Sequence, residues 1–181
     1  MSNVLTFTRT LPGSGTTHYN TENKYEMSSS DFNKSSTGNI SGKIKSIVYN
    51  FIFNYEGSSN PVWTGHASIV ANDNTEYVGE TVQKTITHGD NINVSLTIPE
   101  ANCPPASVIN SGFKIKFVTE SVVPNKQIHL PYNSEVSIVV TYGGAQPYVY
   151  NGTTWVPATP YVYNGSKWVQ ASANVYNNGW G

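Results

Sequence analysis

The chain is short of charge, of cysteine and of long apolar runs, and each shortage excludes something. Charged residues make up 12% of its 181 residues, about half the roughly 25% of an ordinary soluble domain. The 10 Lys and Arg against 11 Asp and Glu leave a formal net charge of −1. Binding nucleic acid needs clustered cations that displace counterions from phosphates, and here the cations are scattered. The closest pairs, Lys43/Lys45 and Lys114/Lys116, have the period-two spacing of a strand's solvent face. Nucleic acid is therefore not expected as a partner. The one cysteine, Cys103, excludes an intrachain disulfide and a multi-cysteine zinc site. Its setting, Asn102-Cys103-Pro104-Pro105, reads as a turn holding an inert thiol. No apolar run approaches the ~18 residues of a membrane helix. Met1-Ser2-Asn3-Val4 lacks the charged start and apolar stretch of a signal peptide. The expectation is synthesis in a cytoplasm without a membrane span, and release by another route if the protein acts outside.

Recognisable catalytic patterns are missing too. His18, His66, His88 and His129 are widely spaced and form no His-x-His or His-x-x-x-His ligand pair. There is no Gly-x-Ser-x-Gly elbow, no Gly-Lys-Ser/Thr phosphate cradle and no His-Glu-x-x-His. Asp73 and Glu76 could share a cation with His88 and Asp90 if their loops met, but they lack the regular oxygen spacing of a calcium loop, and solvated turns are the better reading. A glycosidase would need two carboxylates facing across a cleft, and nothing in the pattern singles out such a pair. No catalytic residue, metal site or cofactor is expected. Trp63, beside Gly65-His66, reads as a core aromatic before it reads as a sugar platform.

In place of charge stand Asn, Ser, Thr and Tyr, with 15 Gly and 10 Pro, a composition suited to strands and turns. Ile47, Tyr49, Phe51, Phe53 and Tyr55 share one face of a strand, and Val48, Asn50, Ile52 and Asn54 the other. Ile92, Val94, Leu96 and Ile98 alternate with polar residues, as do Phe113, Ile115 and Phe117. Val136, Ile138 and Val140 form one face of a late strand, and weaker strands are expected near 66–71, 76–79 and 82–87. Period-two patterns with one apolar face, separated by Gly, Asn and Pro turns, predict an all-β antiparallel β-sandwich of jelly-roll type. The expected division is a polar N-terminal segment with one short strand over 1–39, the sandwich over 40–144, and a repeat region over 145–181.

That last region repeats itself. Pro147-Tyr148-Val149-Tyr150-Asn151-Gly152-Thr153-Thr154-Trp155-Val156 returns as Pro160-Tyr161-Val162-Tyr163-Asn164-Gly165-Ser166-Lys167-Trp168-Val169, with a degenerate third unit at Val175-Tyr176-Asn177-Asn178-Gly179-Trp180. Asn-Gly between alternating β-formers signals a hairpin with a two-residue type I′ turn. That turn would set Tyr150 opposite Thr153 and Tyr148 opposite Trp155, and likewise Tyr163 opposite Ser166 and Tyr161 opposite Trp168. Isolated hairpins are marginal in water, so the units are expected to pack on something. Tyr148, Tyr150, Trp155, Tyr161, Tyr163 and Trp168 form the candidate interaction surface, for a partner protein or a sugar.

The unit Tyr-x-Tyr-Asn-Gly-x-x-Trp, repeated near the C-terminus, resembles the ending of tail and minor structural proteins of phages and prophages of Gram-positive bacteria. The match covers residues 147–181. Val136–Tyr142 with Gly143-Gly144 is similar to the last strand of the sandwich domains that precede such repeats. The resemblance implies a non-enzymatic virion component (tail, baseplate, fibre or head appendage), found in the virion. It would contact further copies of itself and other virion proteins, with host cell-surface polysaccharide as a ligand. A stand-alone carbohydrate-binding module is the alternative.

Overall fold

The computed structural model describes residues 2–11, 16–19, 24–56, 62–87, 89, 91–121, 127–131, 133–143, 148–157 and 161–170. In chain order the strands are β1 (Ser2–Thr10), β2 (Thr16–Tyr19), β3 (Lys24–Ser28), β4 (Asn33–Lys34), β5 (Ile44–Glu56), β6 (Val62–Val70), β7 (Glu76–Val78), β8 (Val82–Thr85), β9 (Asn91–Pro99), β10 (Lys114–Ser121), β11 (Gln127–Leu130) and β12 (Glu135–Gly143). The repeat region adds β13 (Tyr148–Tyr150), β14 (Trp155–Pro157), β15 (Tyr161–Tyr163) and β16 (Trp168–Gln170). One short helix, α1 (Ala106–Ser111), follows Pro104-Pro105. Six residues are too few to print a helical period, which is why no helical window is visible in the sequence.

The body is an all-β antiparallel sandwich. The larger sheet is organised around the 13-residue β5. One edge of β5 pairs with β9, and the other with β12 and then with β11. β1 continues the sheet beyond β12, and β4 caps β1. The facing sheet runs β3-β10-β6, with β7 and β8 both paired to β6. The principal strands thus lie in the order β1-β12-β5-β9 in one sheet and β3-β10-β6-β7 in the other. Consecutive strands cross repeatedly between sheets, which is the jelly-roll arrangement.

The alternating apolar residues meet between the sheets. Ile47, Tyr49, Phe51, Phe53 and Tyr55 of β5 are buried, as are Val94, Leu96 and Ile98 of β9 and Val136, Ile138 and Val140 of β12. Opposite them stand Trp63, Ala67 and Ile69 of β6 and Ile115 and Phe117 of β10. Phe51 lies 4.6 Å from Phe117, and Phe53 lies 5.2 Å from Trp63, centroid to centroid. Burying each such side chain contributes roughly 1.5–3 kcal/mol, so the β5 face is the main source of cohesion. Trp63 is a core residue, as the sequence reading favoured. Its indole N–H donates to Thr119 Oγ1 at 3.3 Å, and its ring lies across the bare backbone of Gly65. A Cβ there would come within 2.3 Å of the indole.

The expected boundary at residue 39 is corrected by the strand pairing. The first 39 residues carry β1, β2, β3 and β4 rather than one short strand. β1 runs the length of β12, and β3 pairs with β10, so both sheets contain this segment. Leu5, Phe7, Leu11, Met27 and Phe32 lie in the core. The polar stretches that concealed this hold local caps. Ser28 and Asp31 form a reciprocal capping box around a 3-10 turn, and Asp31 also pairs with Arg9 at 3.1 Å.

Candidate interaction site

The repeat units form two short antiparallel ladders whose register differs from the expected one. Tyr150 stands opposite Trp155 and Tyr148 opposite Pro157, with Tyr163 opposite Trp168 and Tyr161 opposite Gln170. Each turn is two residues longer than the type I′ expectation. A type I′ turn needs positive φ at both central residues. Here the glycines take it (Gly152 at 99°, Gly165 at 96°), while Asn151 and Asn164 do not. The asparagine side chains account for this. Asn151 Oδ1 accepts from the backbone N–H of both Thr153 and Thr154 at 3.0 Å, and Asn164 Oδ1 accepts from Ser166 and Lys167 at 3.1 and 3.0 Å. Asn151 N–H and Asn164 N–H close the loops onto the carbonyls of Thr154 and Lys167. A side-chain acceptor that serves two loop amides favours the wider loop over the tight one.

The shift is by two residues, so the faces survive it. In the second ladder Tyr161, Tyr163 and Trp168 remain on one side. Tyr163 and Trp168 pack together with ring centroids 5.6 Å apart. Trp168 is nevertheless 68% exposed, and Tyr161 and Tyr163 exceed half exposure, as does Tyr150. The side chains of Tyr148 and Trp155 fall outside the described residues, as does the whole third unit. The repeat region is aromatic and almost free of charge, Lys167 being its one charged side chain in sequence.

The other candidate groups are spent on structure. Glu76 accepts from Ser68 at 2.5 Å and from Lys116 at 3.0 Å. The Ser68 bond, then Lys116, hold its carboxyl below the ordinary range despite partial burial. Asp73 Oδ1 accepts from the Thr75 N–H at 2.9 Å, and that bond lowers its pKa. His88 and Asp90 lie outside the described residues. Among the described residues no three His, Cys, Asp or Glu side chains gather as a metal site. Burial, with Glu100 nearby, pushes the Cys103 thiol up to about 11. Its S–H points to the Ile98 carbonyl at 3.4 Å, so at neutral pH it is a protonated, unreactive group. One cluster, on the outer face of the smaller sheet, has no signal in the sequence. His66 Nδ1 lies 2.6 Å from Glu120 Oε1, which also accepts from Thr81 at 3.0 Å. These residues are far apart in sequence, and only the pairing of β6 with β10 brings the first two together.

No family model matches the chain, and no curated protein matches it. Among solved structures it is similar to the VP2 protein of infectious bursal disease virus. In the D431N mutant forming T=1 particles the identity is 16% and the TM-score 0.35, over 78% of this chain and 32% of that one. In the VP2 subviral particle they are 15% and 0.31, over the same shares. The chain spans about a third of the length of those proteins. A likeness this distant defines neither a family nor a function.

Proposed function

We propose that this chain is a non-enzymatic structural component of a phage virion, whose C-terminal aromatic hairpins make its contacts with partner surfaces. One observation carries the reading: Tyr163 and Trp168 of the second repeat unit are paired yet largely open to solvent. Large aromatics left exposed in units this small mark contact surfaces, because the rings gain most when a partner covers them. The jelly-roll body is compatible with this role, since that fold serves capsid and lectin domains alike, and fold by itself does not set function. The titratable groups described above are committed to ion pairs, caps and strand ladders, which fits a scaffold better than a catalyst.

The direct test is mass spectrometry of gradient-purified particles from a phage encoding this chain. Stoichiometric recovery with the particles is expected. Recovery only in the soluble fraction of the lysate refutes the reading.

The exposed Trp168 ring favours a second reading, a carbohydrate-binding module acting alone, because an aromatic face can stack on a sugar ring. Binding to a glycan panel that is lost in Trp168→Ala, by a chain absent from particles, would replace the first reading with this one.

A further inference from the structure

The two outer faces of the sandwich differ in chemistry. The smaller sheet carries its charges there in pairs: Lys116 with Glu76, Lys114 with Glu26, and His66 with Glu120. The outer face of the larger sheet has none across three consecutive rows. The strand registers align Asn33, Thr8, Ser137, Asn50 and Ser95 in one row across β4, β1, β12, β5 and β9. The next row holds Thr6, Val139, Val48 and Thr97, and the third Val4, Thr141 and Ser46. Glu135 and Lys45 stand at opposite ends, on the rim, and Lys45 is held by Glu100 at 2.9 Å.

Three polar side chains of the first row are bonded to one another within the sheet. Ser95 Oγ donates to Asn50 Oδ1 at 2.7 Å, and Asn50 Nδ2 donates to Ser137 Oγ at 3.3 Å. Covering these three side chains therefore strands few donors or acceptors, while the neighbouring Val48 and Val139 gain by being covered. Val4, at the margin, is 58% exposed.

We propose that this face packs against the same face of a second copy of the chain, about a two-fold axis. The chemistry selects that occupant. A charged partner, whether nucleic acid or an anionic membrane, finds no counter-charge here. A sugar finds no aromatic ring in these rows, and the Asn50 amide and the Ser95 and Ser137 hydroxyls already bond one another. A charge-free surface rich in Val, Thr and Ser fits another of its kind, and an isologous contact supplies it without like-charge repulsion. With strands ~4.8 Å apart and rows ~7 Å apart, the patch covers on the order of 500 Å² per copy. Two copies then bury on the order of 1,000 Å², the lower limit of a specific interface. This contact is separate from the aromatic hairpins and does not depend on them.

Sedimentation equilibrium of the full chain, up to about 100 µM so that even weak association registers, tests it. The wild-type chain is expected to be a dimer or a higher even oligomer. Val48→Lys and Val139→Lys each set like charges across the axis and should weaken association by about 100-fold. Val4→Lys, at an exposed position that cannot perturb the core, should weaken it in the same direction if the central variants fold poorly. Mixing Val48→Lys with Val48→Glu should restore association. A monomeric wild-type chain overturns the proposal. So does association that survives all three lysine variants, or that is lost only in Tyr163→Ala or Trp168→Ala, which would place the contact in the hairpins instead.

Discussion

Replacing Tyr55 with phenylalanine should make this protein more stable. Tyr55 ends the apolar face of β5 and is 0% exposed. Its hydroxyl oxygen has no hydrogen-bond partner among the described residues. A buried hydroxyl that has left water without a replacement bond costs about 1–3 kcal/mol. Tyr55→Phe removes that group and keeps the ring and its contacts. The oxygen leaves a void of roughly 10 Å³, which at about 24 cal/mol per Å³ costs only a few tenths of a kcal/mol. The net expectation is a gain of about 1–2 kcal/mol. For a chain of this size that raises Tm by about 2–4 °C per kcal/mol. Urea unfolding followed by tryptophan fluorescence gives the free energy directly, and an unchanged m-value would show that the unfolding reaction is the same. A loss of about 1 kcal/mol or more would refute the reasoning, because it would mean that the hydroxyl makes a bond worth keeping.

Other outcomes follow from single contacts. Gly65→Ala should destabilise by about 2 kcal/mol or more in the same urea assay, since its Cβ would meet the Trp63 ring at 2.3 Å and the Val118 carbonyl at 2.6 Å. Glu76 has a folded-state pKa below its reference value of 4.5, so its contribution is present above that value and is lost as pH falls through the folded value. Glu76→Gln should therefore lower stability at pH 7 and flatten the acid limb of a Tm-versus-pH curve, and superimposable curves would contradict this. Alkylation of Cys103 by iodoacetamide should be slow at pH 8 and keep rising toward pH 11, because burial holds the thiol up to about 11; a plateau by pH 9 would contradict it. Asn164→Ala removes the acceptor shared by the Ser166 and Lys167 amides. It should abolish the cross-strand nuclear Overhauser contacts of Tyr163 with Trp168 while leaving overall stability within about 0.5 kcal/mol.

Strand faces could be read directly from the sequence, because alternation is a local property. Ile47 through Tyr55 on β5, Val94 through Ile98 on β9 and Val136 through Val140 on β12 all turn inward as their spacing requires. The sandwich class, the core role of Trp63 and the inert character of Cys103 followed from equally local patterns. In the second repeat unit Tyr163 and Trp168 stay together despite a two-residue shift of register. Periodicity names a face, however, and never a partner. That β1 lies on β12 and β3 on β10 is decided by pairing across more than eighty residues, which no window over the first 39 residues contains. Only pairing could bring His66 to Glu120, or align Asn50 between Ser95 and Ser137 to make a charge-free face. The hairpin register was settled by a competition between Asn-Gly backbone preference and the asparagine side chain's own hydrogen bonds. Both belong to the same two residues, so the dipeptide named the turn but left its length to the three-dimensional loop.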